Sequence, residues 1–298
     1  LSRRATLDLE KQVHSGRETL VQQSGDRFVV VNPPASALAE DGMDALYALP
    51  FSRLPHPSYT QAIPAWEMIR TSITTHRGCG GGCSFCSLAL HQGRRISSRS
   101  ENSILKEARI IAAGPFAARQ SPWAQEPSFQ GSAAGAPSKG GAQRENGGAA
   151  PKWAGSISDV GGPSANMWQA RCCLPEGKDC GRASCLHPAV CGFFAVDQKA
   201  GAAMLRAVAR QEGVRHVRIA SGVRFDLALQ EPEALRAYTV EFTGGQLKVA
   251  PEHSEDAVLE QMRKPSLDVF EAFLTAFARY TGRSEKELYT VPYLMSAF

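Results

Sequence analysis

Short apolar runs alternate along the chain with segments of helical periodicity. The runs are rich in β-branched residues and predict strands over residues 28–31, 71–75, 154–160, 214–219, 247–250 and 289–297. Apolar positions at helical spacing predict helices over residues 41–49, 101–111, 197–212, 232–242 and 254–263, and from 266 onward. The run at 28–31 has the continuous apolar character of a buried strand. This alternation predicts an α/β fold, with a parallel sheet and helices outside it.

Several helix boundaries can be predicted from single residues. Ser98 and Glu101 have the spacing of a capping box, which predicts that the first long helix begins there. Asp197 is suited to cap the next helix, and Gly213 to stop it. Pro232 fits the first turn of a third helix.

Two segments interrupt the alternation. Prolines at 50, 55, 57 and 64 predict a rigid, extended connector. In residues 114–153, Gly, Ala, Pro and Ser occupy 25 of 40 positions, and Ile, Leu and Val are absent. Such a segment buries too little apolar surface to offset its ordering entropy, so we expect a disordered surface insert. We therefore divide the chain into a lead-in region, 1–64, and a core, 65–298, that the insert interrupts.

Composition narrows the class of protein. Among 298 residues the formal net charge is only +4, which argues against a nucleic-acid binder of the histone type. The basic stretch from Arg94 to Arg99 is the one feature that suggests RNA, and a solvated loop explains it as well. No apolar run reaches the roughly 18 residues that cross a bilayer. The chain starts without Met and ends within an apolar run, so we expect a fragment of a longer protein.

The eight cysteines fall into two clusters. Three are Cys79, Cys83 and Cys86, and the other five lie between Cys172 and Cys191. Clustered cysteines without a signal peptide indicate metal binding, in the cytoplasm or another reducing compartment.

The first cluster has the spacing C-x3-C-x2-C within a glycine-rich loop. Three thiolates this close can hold one face of a cubane iron–sulfur cluster and leave its fourth iron without a protein ligand. A structural zinc site would need a fourth ligand, for which His91 is a candidate. Three unrelated free thiols are the remaining alternative.

This motif resembles that of the radical S-adenosylmethionine (SAM) superfamily. From about Gly25 to Phe298, apart from the insert, the chain resembles the YgiQ-like family of that superfamily. The resemblance rests on motifs in order along the chain: Val31-Asn-Pro-Pro34, Leu54-Pro-His-Pro57, Arg77-Gly-Cys79, Cys83-Ser-Phe-Cys86, Ser158-Asp-Val-Gly-Gly-Pro163, Ala165-Asn-Met167, Ala220-Ser-Gly-Val-Arg224 and Leu247-Lys-Val-Ala-Pro-Glu-His253.

The resemblance implies a partial (β/α)6 barrel of the TIM type, truncated at its C-terminus, with its site at the carboxyl ends of the strands. It further implies that Cys79, Cys83 and Cys86 hold a [4Fe–4S] cluster whose open iron binds SAM. An electron donor would reduce this cluster, and SAM would be cleaved to methionine and a 5′-deoxyadenosyl radical that acts on an unknown substrate. The resemblance assigns no residue of this chain as a catalytic acid or base.

The resemblance also implies two contacts to SAM. Phe85 holds the position that lies beside the adenine in this superfamily, although ordinary packing explains an aromatic residue there equally well. Gly161 and Gly162 stand where a glycine pair brings the backbone to the SAM amino group. Here Pro163 follows in place of the usual acidic residue, and a simple turn is the alternative.

Two charged residues are further candidates for SAM binding. A guanidinium matches the fork of a carboxylate, so Arg224 is suited to bind the carboxylate of SAM or to form a surface ion pair with Asp226. Glu252 follows a predicted strand and is suited to bind polar groups of SAM or of the substrate.

The second cluster has the spacing C-x7-C-x4-C-x5-C, formed by Cys172, Cys180, Cys185 and Cys191. Cys173 adjoins the first of them and could substitute for it. Four thiolates suit tetrahedral zinc or a fully ligated second cluster. Thiols that handle substrate, disulfides and unliganded thiols remain open.

The sequence therefore favours a radical SAM enzyme. The alternative from another class is a binding module, without catalysis, in which both cysteine clusters hold structural zinc.

Overall fold

The computed structural model describes residues 2–16, 18–33, 35–59, 61, 63–113, 155–175, 178 and 180–296. The predicted insert at 114–153 lies outside this part of the chain. So do Ala154 and Ala297, at the ends of two predicted strands.

Helices and strands are interspersed along the described residues. In the first half they are α1 (Ser2–Ser15), β1 (Leu20–Ser24), β2 (Arg27–Val31), α2 (Glu40–Tyr47), α3 (Pro64–Ile69), β3 (Ser72–Thr74), β4 (His76–Arg77), α4 (Leu88–Gln92), β5 (Ser97–Ser98) and α5 (Glu101–Ala112). In the second half they are β6 (Ser156–Ile157), β7 (Asp159–Gly161), β8 (Arg171–Cys172), β9 (Phe194–Ala195), α6 (Gln198–Ala209), β10 (His216–Val217), α7 (Phe225–Ala228), α8 (Pro232–Arg236), β11 (Gln246–Glu252), α9 (Asp256–Met262), α10 (Leu267–Thr281) and β12 (Tyr289–Leu294).

The core strands form parallel pairs. β3 pairs with β7, β6 with β10, and β11 with β12, all in parallel. A hydrogen bond of 2.9 Å from the Val160 amide to the Arg218 carbonyl extends the contact between the strand region at 156–161 and the one at 216–219. Helices connect the paired strands, so the predicted α/β class is confirmed. Within the described residues these ladders do not close into a barrel.

The helices bury their apolar faces against these strands. Ile104, Ala108 and Ile111 of α5 are fully buried in the same core as Ile73 and Val160. On α10, Phe270 and Phe273 contact Phe225, whose ring centroid lies 5.4 Å from that of Phe270 and 6.0 Å from that of Phe273. The helical spacing of the α10 phenylalanines therefore gave the correct buried face.

A large-to-small substitution in this aromatic cluster tests the packing. Phe273 is completely buried, and we expect Phe273→Ala to lower the free energy of unfolding by about 3–5 kcal/mol, because it leaves a cavity. Phe28 is 64% exposed, so Phe28→Ala should cost less than about 1 kcal/mol. Urea titrations of both variants measure the difference. Equal losses would contradict the assignment of Phe273 to the core.

The N-terminal hairpin corrects one prediction. The strand at 28–31 exists as β2, but all five of its residues are exposed, so the expectation of a buried strand was wrong. β2 pairs only with β1, and nothing among the described residues covers the hairpin. Helix α1 before it was not predicted.

Several predicted boundaries also shift. Ser100, not Ser98, caps α5: its hydroxyl accepts from the Ser103 amide at 3.1 Å, while Ser98 lies in β5. Pro64 begins α3 instead of ending an extended connector, because proline suits the first helical turn. Asp197 caps α6 as predicted, accepting from the Ala200 amide at 2.9 Å.

Residues of the lead-in region contact the strand that leads to the cysteine loop. Arg53 donates to the carbonyls of Arg70 and Ser72 at 2.9 and 3.1 Å. Arg99 donates to the Thr74 carbonyl at 2.9 Å, and both arginines pair with Glu107. This buried network joins the lead-in region and α5 to β3.

Among the helices of the described ranges, none has the length and apolar content needed to cross a membrane.

Candidate metal and cofactor site

The first cysteine cluster lies in the loop after β3 and β4. Gly82 adopts a φ of +57°, and a Cβ on it would lie 2.3 Å from the Ala183 carbonyl oxygen. Only glycine fits both that conformation and that contact. The end of α9 holds the same loop through two hydrogen bonds. The Ser84 hydroxyl donates to the Gln261 carbonyl at 2.7 Å, and the Arg263 side chain donates to the Gly82 carbonyl at 3.2 Å.

Two of the three thiols face the same small space above Gly81. Cys79, Cys83 and Cys86 are all free thiols of intermediate exposure. A Cβ built on Gly81 would lie 3.4 Å from the Cys79 sulfur, 3.6 Å from the Cys83 sulfur and 3.6 Å from Nη1 of Arg224. Burial raises the pKa of Cys79, while the Gly81 amide and the charge of Arg224 act in the opposite direction. This space is a cradle that any side chain at position 81 would fill.

Arg224 brings a buried positive charge to the thiols. Its Nε and Nη2 donate to the two Asp226 oxygens at 2.9 and 2.6 Å, and its Nη1 lies 3.9 Å from the Cys83 sulfur. Burial alone would raise the pKa of Asp226, but the charge and hydrogen bonds of Arg224 hold it below its usual value. The pairing with Asp226, one of the two roles that the sequence allowed for Arg224, is therefore present, but the pair is buried and the expected surface position was wrong. The SAM-carboxylate role stays a prediction.

Glu252 lies at the end of β11 and approaches the same group of charges. Its carboxylate is 3.8 Å from Nζ of Lys264, and both side chains are largely buried. Burial is the main cause of a lowered Lys264 pKa, and the positive charge of Arg224 lowers it further. The sequence reasoning missed Lys264. The available signal was a pair of cations, Arg263 and Lys264, directly after a predicted helix end.

The glycine pair at the end of β7 packs tightly within the chain. A Cβ on Gly161 would lie 2.2 Å from the Ser221 hydroxyl, and one on Gly162 would lie 2.7 Å from the His76 ring. Internal packing thus already requires glycine at both positions, and their contact with SAM stays a prediction. Phe85 is half-buried in the cysteine loop, and its place beside the adenine likewise stays a prediction.

His76, behind Gly162, is a buried neutral group. Its Nδ1 lies 2.8 Å from the Thr75 hydroxyl, and its Nε2 has no hydrogen-bond partner in the described part of the chain. Burial, followed by the charge of Arg77, lowers its pKa from 6.5 to about 4.

This histidine gives a pH prediction with a definite sign. Between pH 6.5 and about 4 the unfolded chain binds a proton at His76 that the folded protein excludes. Stability should therefore fall as the pH falls through this window, by roughly 3 kcal/mol for this group. In urea titrations at pH 7 and 4.5, His76→Gln should lose less stability on acidification than the parent, and the exposed His216→Gln should match the parent. An unchanged acid sensitivity in His76→Gln would contradict the assignment.

The second cysteine loop packs directly against the first. The Cys185 amide donates to the Gly80 carbonyl at 2.9 Å, and the Ser184 hydroxyl donates to the Gly81 carbonyl at 2.5 Å. The sequence gave no indication of this contact, since about 100 residues separate the two loops.

The donor set of three thiols in one loop has the ligand type of a polynuclear iron–sulfur cluster. Within the described residues, no three His, Cys, Asp or Glu side chains have the spacing of a single-ion site, with His91 or without it. A zinc ion draws its thiolates to about 2.3 Å, whereas a cubane presents a separate iron to each thiolate and holds them farther apart. Two free thiols at the Gly81 cradle, a third in the same loop and a buried cation beside them fit such a cluster.

Comparison with known proteins gives matches over most of the chain. Residues 2–72 match the family model described as Radical SAM N-terminal. The chain is 44% identical to a UPF0313 protein of Geobacter sulfurreducens, over 93% of this chain and 40% of that protein. It is 38% identical to the UPF0313 protein YgiQ of Escherichia coli, over 93% of this chain and 33% of that protein.

The chain thus spans between a third and two fifths of the length of these relatives. The identity extends well beyond the segment that the family model matches, and it includes the region of both cysteine loops. From these matches, the chain belongs to the YgiQ-like family of radical SAM proteins.

Proposed function

We propose that this protein is a radical SAM enzyme whose [4Fe–4S] cluster is held by Cys79, Cys83 and Cys86. The observation that carries the proposal is the cradle above Gly81, where two of these free thiols and the Arg224 guanidinium converge. Membership of the radical SAM family supports the same cofactor. When bound, such a cluster supplies one electron to the sulfonium of SAM, whose S–C5′ bond breaks to give methionine and a 5′-deoxyadenosyl radical.

The proposed site lies at the carboxyl ends of the parallel strands. The cysteine loop follows β3 and β4, the glycine pair ends β7, Arg224 comes after β10, and Glu252 ends β11. Carboxyl ends of neighbouring parallel strands meet at one edge of a sheet, where barrels of this type place their chemistry. We therefore propose a partial (β/α)6 barrel, supported by the three parallel ladders in chain order.

In this proposal, buried charges tune the thiolates. Arg224 stabilises the anionic sulfurs electrostatically, and Asp226 fixes the orientation of its guanidinium through two hydrogen bonds. Lys264 adds a second cation near Cys83 and is itself held by Glu252. These groups favour the deprotonated ligands that a metal cluster requires.

The proposed SAM contacts come from the surrounding elements. The backbone at Gly161 and Gly162 meets the amino group, and Phe85 lies beside the adenine. Arg224 or Glu252 binds the polar end of SAM, and in the structure Nη1 is the edge of Arg224 that Asp226 does not occupy. The partners of the reaction are then SAM, an electron donor and a substrate that reacts with the radical.

Cleavage of SAM by the reduced protein tests this proposal. Protein reconstituted with iron and sulfide without oxygen should be brown, and dithionite plus SAM should release equal amounts of methionine and 5′-deoxyadenosine. Chromatography with mass detection quantifies both products. Colourless protein that retains zinc and releases no nucleoside would overturn the proposal in favour of a structural binding module.

A further inference from the structure

We propose that the second cysteine loop is a separate metal centre, in which Cys172, Cys180, Cys185 and Cys191 bind a thiophilic metal and Arg94 balances its negative charge. The ligand chemistry is a zinc ion or an iron–sulfur cluster, both of which bind four thiolates. This centre stands on observations other than those that carry the proposed function.

Three of the four thiols, Cys180, Cys185 and Cys191, lie between β8 and β9, and Cys172 is the last residue of β8. The Cys191 amide donates to the Cys185 carbonyl at 2.7 Å, and both residues pack against one small apolar cluster. Cys172 and Cys180 both lie within electrostatic range of Cys185. All four are free thiols, so no disulfide consumes them.

Arg182 organises the loop between these ligands. Its Nε donates to the Ser184 carbonyl at 2.9 Å, and its Nη2 donates to the carbonyls of His187 and Ala189 at 2.8 and 2.6 Å. One side chain thus fixes the turn between Cys185 and Cys191 before any ligand binds. Such pre-organisation lowers the entropy that metal binding would otherwise cost.

Arg94 is a buried cation without a carboxylate. It is only 8% exposed, and within the described ranges no acidic side chain lies at ion-pair distance from it. Its Nη1 donates to the Arg182 carbonyl at 2.6 Å, while its Nη2 lies 3.9 Å from the Cys185 sulfur. The guanidinium also interacts with the Cys180 thiol. Its Nε, buried as well, has no partner in the described part of the protein.

The charge of Arg94 needs a counter-charge in this loop. A buried cation is costly unless an anion compensates it, and neutral thiols do not. Thiolates bound to a metal are deprotonated outright and carry net negative charge. A metal–thiolate centre therefore supplies the missing anion next to Cys180 and Cys185. Among the described residues, no three thiols are spaced to hold a single metal ion. Metal binding must therefore draw the sulfurs closer together, or a cluster with several metal ions must bridge them.

The position of this loop ties the two centres together. The Cys185 amide bonds to Gly80 between the first two thiols of the radical SAM motif, and Ser184 bonds to Gly81. Loss of the second centre should therefore loosen the loop that holds the first one.

Metal content in a background without the first centre tests the proposal. The variant that combines Cys79→Ala, Cys83→Ala and Cys86→Ala should, after anaerobic reconstitution, still retain zinc or iron with sulfide in fixed ratio to protein. Adding Cys185→Ser should abolish that remainder, while adding Cys173→Ser should leave it unchanged. Retention of zinc identifies a single ion, and retention of iron with sulfide identifies a cluster. If the triple variant holds no metal, the proposal is overturned.

The same series separates this proposal from the proposed function. The metal lost between the parent and the triple variant reports on the first centre alone, and the metal lost on adding Cys185→Ser reports on the second. If the triple variant held as much metal as the parent, the assignment of the first centre would be refuted and that of the second would remain intact.

Alkylation of thiols provides a readout that does not depend on reconstitution. In the folded protein, iodoacetamide should modify Cys180 and Cys185 slowly until a strong chelator is added, as measured by peptide mass spectrometry. Arg94→Gln should lower metal retention, and Arg94→Lys should restore part of it, because the charge and not the shape is required. Equal alkylation with and without chelator would also overturn the proposal.

Discussion

Cys83→Ala should lose the iron–sulfur absorption of the first centre and all release of 5′-deoxyadenosine above the level of a protein-free control. Cys83 is the middle thiol of the motif, its sulfur borders the Gly81 cradle, and Arg224 lies 3.9 Å from it. Its removal leaves two thiolates for a cluster that needs three. Absorption spectra and product analysis on anaerobically reconstituted protein measure the two losses.

Ser87→Ala is the matched control for this variant. Ser87 lies one residue beyond the last thiol, is exposed, and makes no side-chain capping bond to α4. This variant should keep the absorption and the product yield of the parent. Wild-type product formation by Cys83→Ala would show that the thiol has been assigned the wrong role.

Asp226→Asn should destabilise the metal-free protein by about 3–5 kcal/mol, because it leaves the Arg224 charge buried without its anion. Both side chains are only about a tenth exposed, so solvent compensates little of the loss. Urea titration of the metal-free protein measures the change in the free energy of unfolding. As the control, Glu233→Gln removes the carboxylate of an exposed ion pair with Arg206. It should lower the free energy of unfolding by about 1 kcal/mol or less.

The same substitution should be less harmful once the cluster is bound. Thiolates next to Arg224 then supply part of the negative charge that Asp226 provides in the metal-free protein. The destabilisation by Asp226→Asn should therefore be smaller in reconstituted protein than in metal-free protein. A loss that is equal in both forms would contradict the proposed coupling between Arg224 and the thiolates.

Periodicity predicted the fold class and most of the elements, because burial on one face is written into the local sequence. The α10 phenylalanines and the Asp197 cap are clear examples. The exposure of β2 was not predictable in this way, since an apolar run does not show what covers it. Ser98 and Ser100 both offer a hydroxyl near the start of α5, and only the pairing of β5 with β4 decides between them.

The candidate site was predictable only where its residues are close in sequence. The three thiols share one loop, so spacing alone identified them. Lys264 and the contact of Ser184 with Gly81 come from elements far along the chain, and the tertiary fold alone brings them there. For Gly161 and Gly162, the sequence suggested a ligand contact, while the structure shows that Ser221 and His76 already exclude a side chain at these positions.

Electron paramagnetic resonance of the dithionite-reduced protein, recorded before and after addition of SAM, tests the central claim most directly. A cluster held by only Cys79, Cys83 and Cys86 has an iron that is free to bind SAM, so the spectrum of the reduced cluster should change when SAM is added. The variant that combines Cys79→Ala, Cys83→Ala and Cys86→Ala, recorded in parallel, identifies any signal that comes from the second centre. A cluster signal that SAM leaves unaltered, or no cluster signal at all, would contradict the account.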